Sequence, residues 1–301
     1  MNINFPSDFP SMETMLSILH RTIEKSWKNN LSDKDIKRWL DNYSGKYCDK
    51  DDEQRIALWL LCNYTFYSED NVNHLCKVLY NKLLHNLLIN NYINKDDINN
   101  SFKNIYFSAI GSASESGGLL LYHFRQESGL SLDRFVYPST IEPNGEIIQI
   151  FIDDATLSGG TALRNFYDYV KDKEFKKIYY ITLIASESAV KKIEEKGIEV
   201  IYCSLVDERN ECFNKKSMAF NRYNDLLEES KKIAETYGKE IAKKSNEALG
   251  YKNKGYLFGF YYNVPNNTLP IFWSKKNWYP IFERKEKLQN VKGIDIANRF
   301  I

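Results

Sequence analysis

Along the first hundred residues, apolar side chains return every three or four positions, the spacing of helices. Met12, Met15, Leu16, Leu19, Ile23 and Trp27 share one such face behind Ser11, whose hydroxyl suits an N-cap, so the pattern predicts a helix over 11–28. Ser32-Asp33-Lys34-Asp35 ahead of Ile36, Trp39 and Leu40 resembles a capping box and predicts a second, shorter helix. Helical patterns over 52–66 and 71–88 follow, then an Asn- and Asp-rich connector at 90–101. From Asn104 the period changes. A short strand at 105–110, a small-residue loop at 111–118 and a helix over 119–125 form one strand-loop-helix unit.

The continuous aliphatic run 147–152 reads as a strand buried on both faces, and such strands belong to parallel α/β sheets. A helix over 163–170, a strand over 177–185, a helix over 186–196 and a strand over 199–206 complete the alternation, with 135–137 as a weaker strand. The expected fold is α/β: a parallel sheet with helices on both faces and ligand at the carboxyl ends of its strands. Residues 210–249 pattern as one long or broken helix. Residues 256–262 read as a strand, and 263–273 as a structured loop. This divides the chain into a helical region, 1–100, and an α/β domain, 101–301, whose last part, about 251–301, forms a hood-like segment of strand and loop.

Composition narrows the picture. With 41 basic against 40 acidic residues in 301, no global field steers the protein to nucleic acid or membrane. Cys48, Cys62, Cys76, Cys203 and Cys212 are widely spaced and include no Cys-x-x-Cys pair, which argues against both a disulfide framework and a zinc site. The four histidines lack ligand spacing, so no protein-held metal site is expected. Residues 1–10 show no export signal, and no apolar stretch has the ~20 residues a bilayer requires. A cytoplasmic protein with reduced thiols is expected.

Directly behind the 147–152 strand stand Asp153, Asp154, Ala155, Thr156, Leu157, Ser158, Gly159, Gly160 and Thr161. Two carboxylates at a strand end suit a diol. Small hydroxyl residues and paired glycines let successive backbone N–H groups turn inward as an anion-binding nest ahead of a helix N-terminus. No lysine follows the glycines, so this is not the Walker A loop. The segment 150–161 resembles the phosphoribosyl pyrophosphate (PRPP) loop of the type I phosphoribosyltransferase fold. That resemblance implies that Asp153 and Asp154 face the ribose 2′ and 3′ hydroxyls as the catalytic acids, while Thr156 to Thr161 wrap the 5′-phosphate.

In the order of that fold, the slot for the pyrophosphate loop is Gly111, Ser112, Ala113, Ser114, Glu115, Ser116 and Gly117, followed by Gly118. Its serines and glycines supply donors, but Glu115 stands where many such enzymes carry a cation. Arg125 and Arg134 are the nearest cationic residues, and Mg²⁺ carried with the pyrophosphate is the expected cofactor. The Ser-Gly-Gly run before Leu119, the acidic loop and the run Asn263-x-Pro265-Asn266-Asn267-Thr268-Leu269-Pro270 before Trp273 are together similar to the phosphoribosyltransferase-like effectors of bacterial conflict and antiphage systems, including those encoded beside retron reverse transcriptases. Arg125, Asn266, Asn267 and Trp273 are the expected acceptor-binding residues: amides to hold a ring edge and an indole to stack on its face. Asp207-Glu208 and Phe213 are weaker candidates.

The resemblance implies an enzyme acting at ribose C1 of PRPP or a related ribose 5-phosphate, by transfer or hydrolysis. Its alternative is a non-catalytic module that senses PRPP or a nucleotide and signals to partner proteins. The partners implied are the small molecule and the proteins, reverse transcriptase or noncoding nucleic acid of a defence operon. A homo-oligomer is left open.

Overall fold

The computed structural model describes residues 2–110 and 116–284. Helix α1 (Met12–Lys25) begins where the Ser11 hydroxyl accepts the N–H of Thr14 at 3.1 Å, and it buries Met15, Leu19 and Ile23. Helix α2 (Asp33–Leu40) opens on the expected capping box: Asp35 N–H donates to Ser32 Oγ, and Ser32 N–H donates back to Asp35 Oδ2. Helix α3 (Lys50–Cys62) ends sooner than its periodicity implies. The next residues form strand β1 (Thr65–Tyr67), where a β-branched and two aromatic side chains favour the pleat. Helix α4 (Glu69–Ile89) and the short α5 (Ile98–Ser101) lead to the sheet.

That sheet is four-stranded, parallel throughout, in the order β2 (Ile105–Ala109), β3 (Ile148–Thr156), β4 (Lys177–Ser186), β5 (Glu199–Val206). Helix α6 (Ser116–Ser128) joins β2 toward β3, and α9 (Glu187–Glu194) joins β4 to β5. Between β3 and β4 the chain forms α7 (Gly160–Ala162), a wider π turn (Leu163–Tyr167) and α8 (Asp168–Val170). Both faces are covered. Ile150, Ile152, Tyr179 and Ile181 pack with residues of α4 and α6, while Phe151 and Tyr180 pack with Phe166 and Ile193. The expected strand at 135–137 amounts to a single bridge from Phe107 to Phe135.

Two stretches differ from the sequence expectation. The region 210–249 is not one helix: only α10 (Leu227–Ile241) is long, because polar side chains cap short turns ahead of it, Asn214 Oδ1 accepting from Lys216 N–H and Ser217 Oγ from Ala219 N–H. The strand expected at 256–262 narrows to β6 (Phe258–Phe260), which pairs in parallel with β1 rather than with the main sheet. Helix α11 (Pro270–Trp273) then packs on the N-terminal helices.

The apolar cores thus mix the two ends of the chain. Trp39, fully buried, donates its indole N–H to the Ile271 carbonyl at 2.7 Å, and Trp278 donates to the same oxygen at 2.8 Å. Helix α4 belongs with the sheet, whereas α1 to α3 share a core with 212–282. Residues 285–301 of the hood-like segment lie outside the described residues. Among the described residues no helix is long and apolar enough to cross a membrane.

Candidate functional site

The last residues of β3 carry the acids. Asp153 pairs in register with Thr182 and Thr156 with Ala185, so the strand runs four residues past the apolar segment that identifies it in the sequence. Alternation along the strand sends Asp153 to the face of Phe151 and Tyr180, and Asp154 to the face of Ile152 and Tyr262. Both carboxyl oxygens of Asp153 are engaged. Oδ2 accepts from the Tyr180 hydroxyl at 2.8 Å, and Oδ1 from the Asp154 N–H at 2.9 Å. Asp154 is 8% exposed, and its Oδ1 accepts from the Ala155 N–H at 2.7 Å.

Burial, and next the charge of Asp154 alongside, push the Asp153 carboxyl well above the usual carboxylate range. Burial and then Asp153 likewise raise the Tyr180 hydroxyl. Without ligand, therefore, the acid pair favours holding a proton. A diol or a cation that engages both carboxylates displaces it.

The turn after the acids is pinned from below. Leu157 is buried, and its carbonyl accepts the Ser186 hydroxyl at 3.0 Å; the Ser158 carbonyl accepts the Lys192 ammonium at 3.4 Å. Gly159 adopts φ +69° and ψ −14°, a left-handed conformation that glycine enters at no steric cost, and Gly160 opens α7 with right-handed geometry. Such a change of hand turns successive N–H groups toward one point. Thr161 has its backbone in α7.

Asp153 to Gly159 line a cleft of about 450 Å³, together with Ile110 at the end of β2 and Arg164 on the π turn. The rest of the lining comes from Lys244, Tyr251, Asn263, Pro265, Asn266, Asn267 and Arg284. This second group of residues is internally tied. Tyr251 N–H donates to the Asn266 carbonyl at 2.8 Å, Asn267 Nδ2 donates to the Tyr251 carbonyl at 3.1 Å, and the Arg284 guanidinium donates to the Val264 carbonyl while lying 5.3 Å over the Trp273 ring.

Of the residues singled out in the sequence, the structure brings Asp153, Asp154, Ala155, Thr156, Leu157, Ser158, Gly159, Asn266 and Asn267 into this one cleft. Gly111 to Glu115 lie outside the described residues. Ser116 and Gly117 open α6 beside the strand ends, and a Cβ at Gly117 would stand 2.6 Å from the Ile110 carbonyl oxygen, so only glycine fits.

Five of the residues singled out in the sequence do not line this cleft. Arg125 does not line it, because α6 begins at the strand ends and runs away from them; its guanidinium lies 5.7 Å over the Tyr122 ring instead. Arg134 is at the other end of the sheet, bonded to the Phe102 and Lys103 carbonyls ahead of β2. Trp273 is buried with its indole N–H on the Thr268 carbonyl at 2.9 Å, and its ring lies under the guanidinium of Arg284, which lines the site. Phe213 lines a separate cavity of about 240 Å³ with Glu211 and Lys231, and Asp207 pairs with Arg209 at 2.7 Å.

Arg164, Lys244, Tyr251, Asn263, Pro265 and Arg284 are site residues that sequence reasoning did not select. Arg164 follows Gly160 by one helical turn, a spacing that places both on one face and was there to be read. For Lys244, Tyr251 and Arg284 no local signal exists, since distant packing brings them in. Among the described residues no group of three or more His, Cys, Asp or Glu side chains is gathered for a metal ion.

Comparison with known proteins adds family evidence. The model of the family described as PRTase-CE matches residues 36–284. No curated protein sequence matches the chain. Among solved structures, orotate phosphoribosyltransferase from Aeropyrum pernix is similar over 33% of this chain and 58% of its own, at 10% identity and a TM-score of 0.25. A hypothetical protein from Neisseria gonorrhoeae with bound ppGpp is similar over 55% of this chain and 97% of its own, at 13% identity and a TM-score of 0.34. UMP synthase from Leishmania donovani is similar over 68% of this chain and 41% of its own, at 10% identity and a TM-score of 0.32. The chain thus spans a little over half of the orotate enzyme and less than half of the UMP synthase.

Proposed function

Since the chain belongs to the PRTase-CE family, with a type I phosphoribosyltransferase-like fold, we propose that it binds PRPP or a closely related ribose 5-phosphate and acts at ribose C1. The observation that carries this reading is the meeting of Asp153, Asp154, the 155–159 turn, Asn266 and Asn267 in one cleft at the carboxyl end of a parallel sheet. Taken singly, acids, glycines and amides mark ordinary turns. Their convergence from distant parts of the chain is what calls for a ligand.

In this reading the 5′-phosphate sits in the turn at 156–161 and the diol on the two carboxylates. The bond from C1 to the pyrophosphate oxygen breaks ahead of attack, the electron pair leaving with pyrophosphate and positive charge building on the ring. Asp153 and Asp154, once deprotonated, favour that charge electrostatically. The acceptor or a water then bonds to C1 and loses its proton. The oxygens of Asp153 and Asp154 suit a hard cation carried in by the substrate, and Mg²⁺ bound in this way would supply neutralisation of the leaving group. The setting we propose is cytoplasmic, as an effector of a bacterial conflict or antiphage system that depletes or modifies nucleotides.

Ligand sensing without turnover is the second reading. Its support is that Arg125 and Arg134, the cations expected from the sequence, lie away from the cleft, so that any charge offered to a leaving group has to come from Arg164, Lys244 or Arg284. Phosphorus NMR of PRPP with Mg²⁺ tests both readings, with the double variant Asp153→Asn/Asp154→Asn as control. Pyrophosphate release by the wild type alone supports C1 chemistry, broadening without release supports the sensor, and unchanged spectra rule out PRPP.

A further inference from the structure

Tyr180 is a fully buried hydroxyl to which the mechanism above gives no part. It lies on β4 two residues ahead of Thr182, the residue in register with Asp153, so its side chain shares the face of Asp153 and must reach along the strand by about 6.6 Å to touch it. A serine or threonine hydroxyl at that position would fall short. The Tyr180 ring stacks on Phe166 at 5.7 Å, and Phe166 stacks on Phe151 at 4.6 Å. Phe166 belongs to the π turn that also carries Arg164 into the cleft. The ring is thus gripped, and its hydroxyl is aimed at Asp153 Oδ2, 2.8 Å away. A free carboxyl group turns about its last torsion over a broad range. Here the Tyr180 hydroxyl on Oδ2 and the Asp154 N–H on Oδ1 hold both ends of the group, while Asp153 still lines the cleft. Those two bonds take up two of the roughly four acceptor sites of an ionised carboxylate.

We propose, resting on the ribose phosphate reading above, that Tyr180 is a positioning residue: it presets the plane of the Asp153 carboxylate for the ribose diol and so contributes to recognition of the sugar without touching it. The hydroxyls of the ligand then meet an acceptor already turned to receive them, and the cost of ordering that acceptor is met in the folded chain rather than on binding. The phosphate has its own place at the turn of 156–161, so a ligand without a diol gains nothing from Tyr180.

Calorimetric titration of the full chain with ribose 5-phosphate and with inorganic phosphate, both without Mg²⁺, tests this, because only the first carries the diol. Tyr180→Phe keeps the ring that stacks on Phe166 and removes the hydroxyl alone. It should weaken ribose 5-phosphate about ten-fold, as expected for loss of a hydrogen bond to a charged group, and change inorganic phosphate less than about two-fold. Unchanged affinity for ribose 5-phosphate overturns the proposal, as does an equal loss for both ligands, which would make Tyr180 a general support of the site. Fluorine NMR of the full chain with Tyr180→3-fluorotyrosine, which retains the hydroxyl, gives a second readout that does not depend on how well the phenylalanine variant folds. Its signal should shift with ribose 5-phosphate and stay in place with inorganic phosphate; the same response to both overturns the proposal. Equal affinity of the wild type for the two ligands, or binding of neither, refutes the ribose phosphate reading itself and the proposal with it.

Discussion

Ser186 holds Leu157. Its hydroxyl donates to the Leu157 carbonyl at 3.0 Å and, as the N-cap of α9, accepts the N–H of Ala189 at 3.2 Å. One side chain therefore fixes both the start of a helix and the underside of the proposed phosphate turn.

Replacing it should be felt twice. Ser186→Ala removes the cap, at about 1 kcal/mol, and strips the buried Leu157 carbonyl of its donor, at about 1 kcal/mol more. Urea denaturation should report a loss of stability of that order, with phosphate-ligand affinity reduced as well; Ser186→Thr should retain most of both. An unchanged midpoint for the alanine variant would refute the coupling.

The acid pair gives a pH prediction. The Asp153 carboxyl is raised in the folded protein, so folding gains from its held proton below the ordinary carboxylate range, and that contribution is lost as pH rises through the raised value. Asp153→Asn removes the loss. The variant should be more stable than the wild type at neutral pH, with the gap closing toward acid pH, and it should fail to bind PRPP. Thermal melts across pH check the sign; a variant less stable at neutral pH would contradict it.

Gly117 is fixed by space rather than by conformation. A methyl group at this position meets the Ile110 carbonyl oxygen, so Gly117→Ala should cost about 1–3 kcal/mol by pushing the start of α6 off the strand ends. Gly197, with nothing within 4 Å of a Cβ, is the useful contrast although its φ of +76° adds strain. Chemical denaturation of the two alanine variants should rank Gly117→Ala as the more destabilised.

Arg164 reaches the cleft from the π turn, and its Nη1 would stand 3.8 Å from a Cβ at Gly160. Arg164→Ala should weaken PRPP binding about ten-fold, as expected for loss of one charge-assisted contact to phosphate, without changing stability by more than about 0.5 kcal/mol. Arg164→Lys should recover part of the affinity. Calorimetry at two salt concentrations should show a shallower salt dependence for the alanine variant.

How far the sequence could be read depended on whether the signal was local. Strand β5 matches its expected range, 199–206, because a run rich in β-branched and apolar residues lies between Gly197 and the polar Asp207-Glu208. Strand β3 was visible only to Ile152. Its last four residues are polar or small, and the ladder to β4 that keeps them extended is invisible in composition. The small sheet shows the same limit more strongly: Thr65 and Phe66 read as the end of a helix until Phe258 to Phe260 arrive as partners. For the site, the acids and glycines stood in one run and were found together. Lys244, Tyr251 and Arg284 are joined to them by packing alone.

The shared core of the N-terminal helices and the 212–282 region also sets an order of events. The cleft residues from Ile110 to Arg164 are made early, but those from Lys244 to Arg284 come some eighty to one hundred and twenty residues later. During synthesis, the buried Trp39 has no Ile271 carbonyl to meet, and β1 has no β6, until nearly all of the described chain has been made. Until Arg284 has been made, the cleft that holds Asp153 and Asp154 lacks part of its lining, so the candidate site depends on the folding of nearly the whole described chain.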